Sequence, residues 1–219
     1  MIRSRRGLTL VLTLALAAGA MALPAQKIRN HFDTDALFQP PGFFDFVVLG
    51  APGAAQWKVL TGKSAPSPQN YAGQIVPNRP KESIAAALRR NVDFKDGAWS
   101  VMMLRGQGRG GIVFRMADEQ NFLALLVNLG SGEARLLSYG KGVPTELGSA
   151  KGVLDREWCL LQVVAKGPHI VARLNEQPLI EAVDPSPAAG RAGIATAGPG
   201  LTSFDEFITE PEGQVTSDK

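Results

Sequence analysis

Acidic residues are the first candidates for chemistry, because glycoside cleavage needs two carboxyl groups about 5 Å apart when configuration is retained. Two adjacent pairs occur, Asp118 with Glu119 and Asp205 with Glu206. Neighbouring residues of a strand point to opposite faces, whereas carboxylates that share a face occupy alternate positions. The spacing therefore identifies no catalytic pair, and the catalytic residues stay unknown.

The residues and motifs that other kinds of catalytic site require are few or absent in the sequence. The chain holds two histidines, His31 and His169, which is too few for a histidine-rich zinc site. A Gly-x-Ser-x-Gly sequence is absent. The glycine-rich stretch 106–111 fits Gly-x-Gly-x-x-Gly, but a strand pattern follows it instead of a helix, so we interpret it as a flexible turn.

Polar and aromatic side chains are better candidates for binding than for catalysis. A guanidinium and an amide form the directional hydrogen bonds that sugar hydroxyls need, which favours Arg115 and Asn121. The alternative is structural: Arg115 pairs with Asp118 across a turn that Asn121 caps. Trp158 and Trp99 are better explained as core residues. The candidate ligand-binding residues are Arg115, Asn121, Asp118, Trp57, Arg105 and Tyr139.

Asp33 and Asp35 near the first strand, with Asp205 near the last, could meet if the terminal strands pair. Carboxylates gathered in this way could hold Ca²⁺. Capping of turns by these side chains is the alternative and the one we favour. No other cofactor is indicated.

Cys159 is the only cysteine, so no intramolecular disulfide can form. It lies in the apolar run Trp158-Cys159-Leu160-Leu161. This setting favours a buried small hydrophobe over a nucleophile.

The N-terminus has the layout of a cleavable export signal. Three arginines precede an apolar run over residues 8–22, which at 15 residues is shorter than the roughly 20 that a membrane-spanning helix needs. Ala20-Met21-Ala22 offers small residues for cleavage after Ala22. The stretch 4–8 also resembles a twin-arginine signal, so the export route stays open. We expect a periplasmic or secreted protein with no membrane attachment after cleavage.

Cleavage changes the charge balance, because residues 1–22 carry three arginines and no acidic residue. The remaining basic groups equal the 20 acidic ones. A near-neutral chain has no electrostatic attraction for a phosphate backbone, so nucleic acid is not an expected partner.

Short apolar segments separated by glycine-rich turns predict an all-β chain. The predicted strands cover residues 99–105, 111–116, 121–129, 133–139, 143–147, 158–166, 169–175, 191–197 and 201–209. Shorter islands at 56–60 and 71–76 lie among long loops between residues 50 and 80. Segment 82–90 is rich in alanine and fits a helix or a strand, and the sequence leaves this open.

Side-chain alternation assigns faces to two of these elements. In the hairpin 158–175 one face is apolar and predicts core, while the other is mixed and meets either water or a ligand. The segment 121–129 is apolar on both faces, which is typical of an interior strand covered on both sides.

Several segments together resemble the concanavalin A-like lectin and glucanase jelly rolls, including the LamG-like domains of the 3-keto-disaccharide hydrolase type. Residues 110–115 with Asp118 and Asn121-Phe122 resemble the family's GGIVFR…D…NY pattern, and residues 158–163 resemble its W-x-x-L-x-V strand. Residues 174–179, 190–197 and 204–207 resemble its LDGxxL, GxxGLxT and FDDF segments. The resemblance covers residues 98–209 well and 32–97 loosely.

Two departures concern the turn at Asn175, which lacks the family's glycine, and Phe122, which replaces the usual Tyr. The resemblance implies a two-sheet antiparallel jelly-roll sandwich over residues 23–210, after a signal peptide over 1–22 and before a disordered polar tail over 211–219.

The resemblance covers lectins, binding modules and glycosidases alike, so function has to be argued from a site. The preferred hypothesis is an exported, non-catalytic or accessory carbohydrate-binding protein whose partner is a glycan or oligosaccharide. The alternative is a glycoside hydrolase of the 3-keto-disaccharide hydrolase-like type. Another envelope protein is a further possible partner.

Overall fold

The computed structural model describes residues 26–152 and 154–212. The signal peptide expected at 1–22 and residues 213–219 of the expected tail lie outside them. The described residues form fifteen strands. These are β1 (Ile28–Asn30), β2 (Phe44–Gly50), β3 (Trp57–Thr61), β4 (Asn70–Gln74), β5 (Ser83–Phe94), β6 (Gly97–Leu104), β7 (Arg109–Asp118), β8 (Asn121–Asn128), β9 (Glu133–Gly140), β10 (Val143–Lys151), β11 (Trp158–Lys166), β12 (His169–Leu174), β13 (Gln177–Val183), β14 (Gly190–Ala197) and β15 (Thr202–Pro211).

The strands form two antiparallel sheets. The eight-stranded sheet has the order β13-β12-β11-β6-β15-β4-β3, with β1 paired to β15. The seven-stranded sheet has the order β10-β9-β8-β7-β14-β5-β2. No helix long and apolar enough to cross a membrane occurs within the described ranges. The all-β sandwich expected from the sequence is confirmed.

The main core lies between the sheets and follows the alternation of the strands. Trp99, Val101 and Met103 of β6 point into it, and so do Leu161 and Val163 of β11. The hairpin face predicted to be core is therefore core. Trp158 and Cys159 are also buried, as expected. Burial of such side chains contributes about 25 cal/mol for each Å² of apolar surface removed from water.

A second apolar cluster covers part of the outer face of the seven-stranded sheet. Strand β8 contributes to both clusters, with Leu123 and Leu125 facing the core and Phe122 and Leu126 facing outward. This confirms the prediction that residues 121–129 form an interior strand buried on both faces.

The alanine-rich segment 82–90 belongs to strand β5. It pairs with β2 on one side and β14 on the other, so its backbone hydrogen bonds are made within the sheet. Ala85 and Ala87 face the core and Ala86 faces outward. Tertiary pairing outweighs the helix propensity of alanine at this place.

The alternation breaks at Arg115, where β7 carries a bulge between Phe114 and Asp118. Arg115 has a φ of 49°, in the left-handed region. Strict alternation would put Met116 on the same face as Ile112 and Phe114, but Met116 lies in the outer cluster. The extra residue of the bulge shifts the face by one position.

The final strand extends to Pro211, and the amide of Glu212 donates to the carbonyl of Asp96 at 2.8 Å. The sandwich therefore includes two residues that the sequence assigned to the polar tail.

Candidate functional site

The outer face of the seven-stranded sheet has a floor of small residues across its centre. Ala195 of β14 is opposite Ala86 of β5 on one side and Gly111 of β7 on the other. Residues opposite each other in adjacent strands share a face, so the three small residues lie side by side. Larger residues border them, with Val47 opposite Ala86 and Leu126 opposite Gly111. All three small residues are buried, so they lie beneath the larger side chains of this face.

Two adjoining cavities of about 710 and 510 Å³ occupy this face. They share Lys81, Arg109, Leu126, Arg135 and Leu137, and we call the combined hollow the sheet groove. Its size is in the range of small-molecule and oligosaccharide sites.

Tyr139 of β9 supplies an aromatic side of the sheet groove. It lies across from Phe122 of β8, and the two rings stack with centroids 4.2 Å apart and an interplanar angle of 11°. Burial raises the pKa of the Tyr139 phenol, and the nearby charge of Arg109 opposes this rise. The hydroxyl therefore stays protonated at neutral pH and can donate a hydrogen bond.

Charged side chains border the sheet groove along its length. The Nη2 of Arg109 donates to the carbonyl of Lys81 at 2.7 Å. The Nε of Arg135 lies 3.6 Å from a carboxylate oxygen of Glu146, in a solvent-exposed pair. Glu82 borders the same hollow, and Glu119 lies in the turn after β7, at the opposite end of that strand from Arg109.

The predicted site residue Arg115 is enclosed in a network of acceptors. Its guanidinium donates to the carbonyls of Lys95 and Gly167 and to the carboxylates of Asp96 and Asp184, at 2.7 to 3.1 Å. The side chain is 1 % exposed. These bonds connect β7 of one sheet to turns of the other, which is a structural role. Strict alternation along this segment predicts that Arg115, opposite Ile112 and Phe114, points away from the main core. This prediction is wrong, because the bulge redirects the side chain.

Asp118 and Asn121 form a hydrogen-bonded turn. The amide group of Asn121 donates to Asp118 Oδ1 at 2.8 Å, and the backbone amides of Gln120 and Asn121 donate to the same carboxylate. The Asn121 hydrogen bond and the Gln120 amide lower the pKa of Asp118. The carboxylate of Asp118 thus bonds Asn121, and the partners of Arg115 are Asp96 and Asp184. Asn121 and Arg115 border a smaller hollow of about 270 Å³ next to Tyr139.

The remaining candidates are dispersed. Trp57 is 2 % exposed and packs against Phe204 with ring centroids 5.9 Å apart, so it offers no surface for stacking a ligand. Arg105 is exposed in the turn after β6, and its backbone amide bonds the carbonyl of Glu157. Of the six residues selected from the sequence, Tyr139 lies in the sheet groove.

Two of the three acidic residues proposed for calcium, Asp33 and Asp205, have other partners. Asp205 is fully buried and accepts hydrogen bonds from the amide and hydroxyl of Ser67. Asp33 accepts from the amide of Asn70 and contacts the ring of His31. Within the part of the chain that the structure describes, no group of three or more His, Cys, Asp or Glu side chains could hold a metal ion.

Sequence reasoning missed Lys81, Arg109 and Arg135. Arg109 belonged to the stretch interpreted as a flexible turn, but β7 begins at this residue. The signal was the alternation of Arg135, Leu137 and Tyr139, which puts an arginine and a tyrosine on one face of β9. The pairing of distant strands that completes the groove has no trace in the sequence.

No protein-family model matches the chain, and neither does any curated protein sequence. Solved structures do match. A carbohydrate-binding module, CBM66 from Bacillus subtilis, superposes with a TM-score of 0.54 at 15 % identity, over 74 % of this chain and 99 % of its own. A Bacillus subtilis protein of unknown function with a galectin-like fold gives 0.52 at 10 % identity, over 71 % of this chain and 88 % of that one.

Domain 4 of AbnA, an extracellular GH43 arabinanase from Geobacillus stearothermophilus solved with arabinotriose, gives a TM-score of 0.53 at 15 % identity, over 84 % of this chain and 90 % of that one. At these identities the likeness concerns the fold. The chain shares the two-sheet antiparallel sandwich fold of these structures.

Proposed function

We propose that this protein is an exported carbohydrate-binding protein and that the sheet groove holds the saccharide. The observation that carries the proposal is the groove itself, which is lined by Tyr139, Leu126, Arg109 and Arg135. A sugar ring presents apolar C–H groups on its faces and hydroxyls on its edge. An aromatic side with arginines beside it complements both kinds of surface.

The fold supports the proposal by analogy. The structural neighbours include a carbohydrate-binding module and a domain solved with arabinotriose, although fold alone does not transfer a ligand. The groove adds an argument from this chain's own residues.

The test is binding of the purified protein to a glycan array, followed by calorimetric titration of each hit. Tyr139→Ala and Arg135→Ala should each weaken binding by about tenfold or more, which corresponds to roughly 1.4 kcal/mol. Arg173→Ala is the matched control, because Arg173 is a half-buried arginine on the outer face of the other sheet. Loss of binding in Arg173→Ala, with both groove variants unaffected, would contradict the proposal.

Hydrolysis is the second candidate, because Glu82 and Glu119 both border the groove. Glu82 adjoins the start of β7 and Glu119 follows its end, so they do not form the closely spaced carboxyl pair of a glycosidase, and either would have to act with another group. Incubation of each bound oligosaccharide with the protein, followed by chromatography of the products, separates the candidates. Cleavage that Glu82→Gln or Glu119→Gln abolishes would identify an enzyme, and intact ligand would identify a binding protein.

A further inference from the structure

One end of the sheet groove carries cations without acidic partners. Lys81 precedes β5, and Arg109 begins β7 beside it, with its Nη2 bonded to the Lys81 carbonyl. Among the described residues, neither side chain forms an ion pair within 4 Å, and both border the two cavities. Some other exposed cations are paired, as Arg90 is at 2.7 Å from Asp45. The two groove cations are therefore available to a ligand.

A third cation, Arg79, lies behind this end of the groove. It is 4 % exposed, and its two terminal nitrogens donate to the hydroxyl and carbonyl of Thr196, next to the groove residue Ala197. Its Nε has no hydrogen-bond partner. Burial and the charge of Arg109 both lower the pKa of Arg79.

Burying a charge without a counter-ion is costly. Among the described residues, Arg79 forms no ion pair with a carboxylate. Arg115, the other buried arginine, pairs with two. An anion bound at Arg109 would reduce the repulsion between Arg79 and Arg109. The arrangement thus gains stability when a negatively charged group enters this end.

Carboxylates of the protein also border the groove, but none of them forms an ion pair with Lys81 or Arg109. Glu146 is paired with Arg135. Glu82 and Glu133 border the hollow, yet neither lies within 4 Å of a nitrogen of Lys81 or Arg109. Glu119 lies in the turn at the other end of β7. The nitrogens of Lys81 and Arg109 are therefore not in direct contact with a carboxylate of the described residues.

We infer that the saccharide bound in the sheet groove is anionic, with a carboxylate or sulfate group placed between Lys81 and Arg109. This inference rests on the proposed carbohydrate-binding function and narrows it to acidic sugars. Arginine presents a planar pair of N–H donors that matches a carboxylate or sulfate edge, and lysine adds a mobile point charge. Hydrogen bonds to charged groups are the stronger class, so the acidic group should dominate recognition.

The experiment uses an array of matched pairs of oligosaccharides. Each uronic acid oligosaccharide is printed beside its methyl ester, and each sulfated one beside its desulfated form, so that the two sources of negative charge are distinguished. In one of these two classes, uronic acids or sulfated sugars, we expect the affinity for the charged oligosaccharide to be at least about tenfold higher than for its neutral partner. Raising the salt from about 50 mM to about 500 mM should weaken it, because exposed charges are screened.

Variants then locate the interaction. Lys81→Gln and Arg109→Gln should each lower affinity for the acidic oligosaccharide by about tenfold, while the thermal midpoint stays near that of the parent protein. Arg105→Gln is the control, because Arg105 is exposed and borders neither cavity. Equal binding of acidic and neutral partners would overturn the inference and leave the proposed function standing. Absence of binding to every saccharide would overturn the proposed function itself.

Discussion

Arg115 Nη1 donates to Asp184 Oδ2 at 2.9 Å, and the two side chains are 1 % and 7 % exposed. Arg115 lies in the seven-stranded sheet, and Asp184 follows the last residue of β13 in the other sheet. The pair therefore joins the two layers at one end of the sandwich.

Removal of this arginine should destabilise the protein strongly. Arg115→Met leaves the buried carboxylate of Asp184 without its cation, and breaking a buried pair costs about 3–5 kcal/mol. Urea unfolding followed by tryptophan fluorescence measures the loss. Arg105→Met should change stability by less than about 0.5 kcal/mol. A second change, Asp184→Asn, should recover part of the loss in Arg115→Met, and equal destabilisation by both arginine variants would show that the buried network contributes little.

Asp205 should make stability fall as the pH rises. Burial is the main cause that raises the pKa of its carboxyl above 3.8, although hydrogen bonds from Ser67 oppose the rise. A raised folded-state pKa means that the folded protein holds this proton more tightly than the unfolded chain. The corresponding stability is present below the unfolded-state pKa and is lost as the pH rises through the folded-state pKa.

Denaturant unfolding of the parent and of Asp205→Asn between about pH 3 and pH 8 tests this. The difference in unfolding free energy between the two proteins should shift in favour of Asp205→Asn as the pH rises. Asp118→Asn is the comparison, because the pKa of Asp118 is lowered and its contribution is lost as the pH falls. A pH-independent difference between the parent and Asp205→Asn would contradict the assignment.

A methyl group at Gly111 should not be accommodated. A Cβ there would overlap the carbonyl oxygen of Leu125 and approach Leu126 Cα to 3.1 Å, and both belong to the backbone of β8. Gly111→Ala should therefore lower the unfolding free energy by about 1–3 kcal/mol, as expected for overpacking. Gly106→Ala should leave the thermal midpoint unchanged or slightly higher, because a Cβ at Gly106 meets no atom within 4 Å.

The thiol of Cys159 should be unreactive in the folded protein. It is buried in the main core, and its Sγ lies 3.5 Å from the carbonyl of Arg156. Labelling with an aromatic disulfide reagent should proceed at the rate of unfolding, and at once in strong denaturant. An added thiol at an exposed position, as in Ser149→Cys, gives the fast rate for comparison. Rapid labelling of the native parent chain would mean that the core opens near Cys159.

The sequence predicted most strands correctly, because apolar alternation within the strands and glycine-rich turns between them were both strong signals. Residues 158–166 match β11 at both ends, since apolar alternation begins at Trp158 and Gly167 ends it. Strand β8 was predicted to be buried on both faces because both of its faces are apolar. Strands β1, β2 and β13 were missed. β1 has three residues, and β13 is an edge strand with a proline and a glutamate. β2 carries a half-buried Asp45 and an exposed Phe46, which blur its pattern.

The site was predicted less well for physical reasons. The orientation of Arg115 depends on a bulge, and local sequence gives no clear sign of one in a strand that reads as regular. The sheet groove depends on the register between β5, β14, β7 and β8, which come from widely separated parts of the chain. Ala86 and Ala195 lie side by side only because of that register, which the local sequence does not specify.

The position of β15 has a consequence for how the chain reaches this fold. This strand is late in the sequence, yet it lies inside the eight-stranded sheet, between β6 on one side and β4 with β1 on the other. Until Thr202–Pro211 has been synthesised, β3 and β4 have no sheet to join, and the edge of β6 stays open. Assembly of that layer is therefore a late event dominated by long-range contacts, and such topologies acquire their structure slowly.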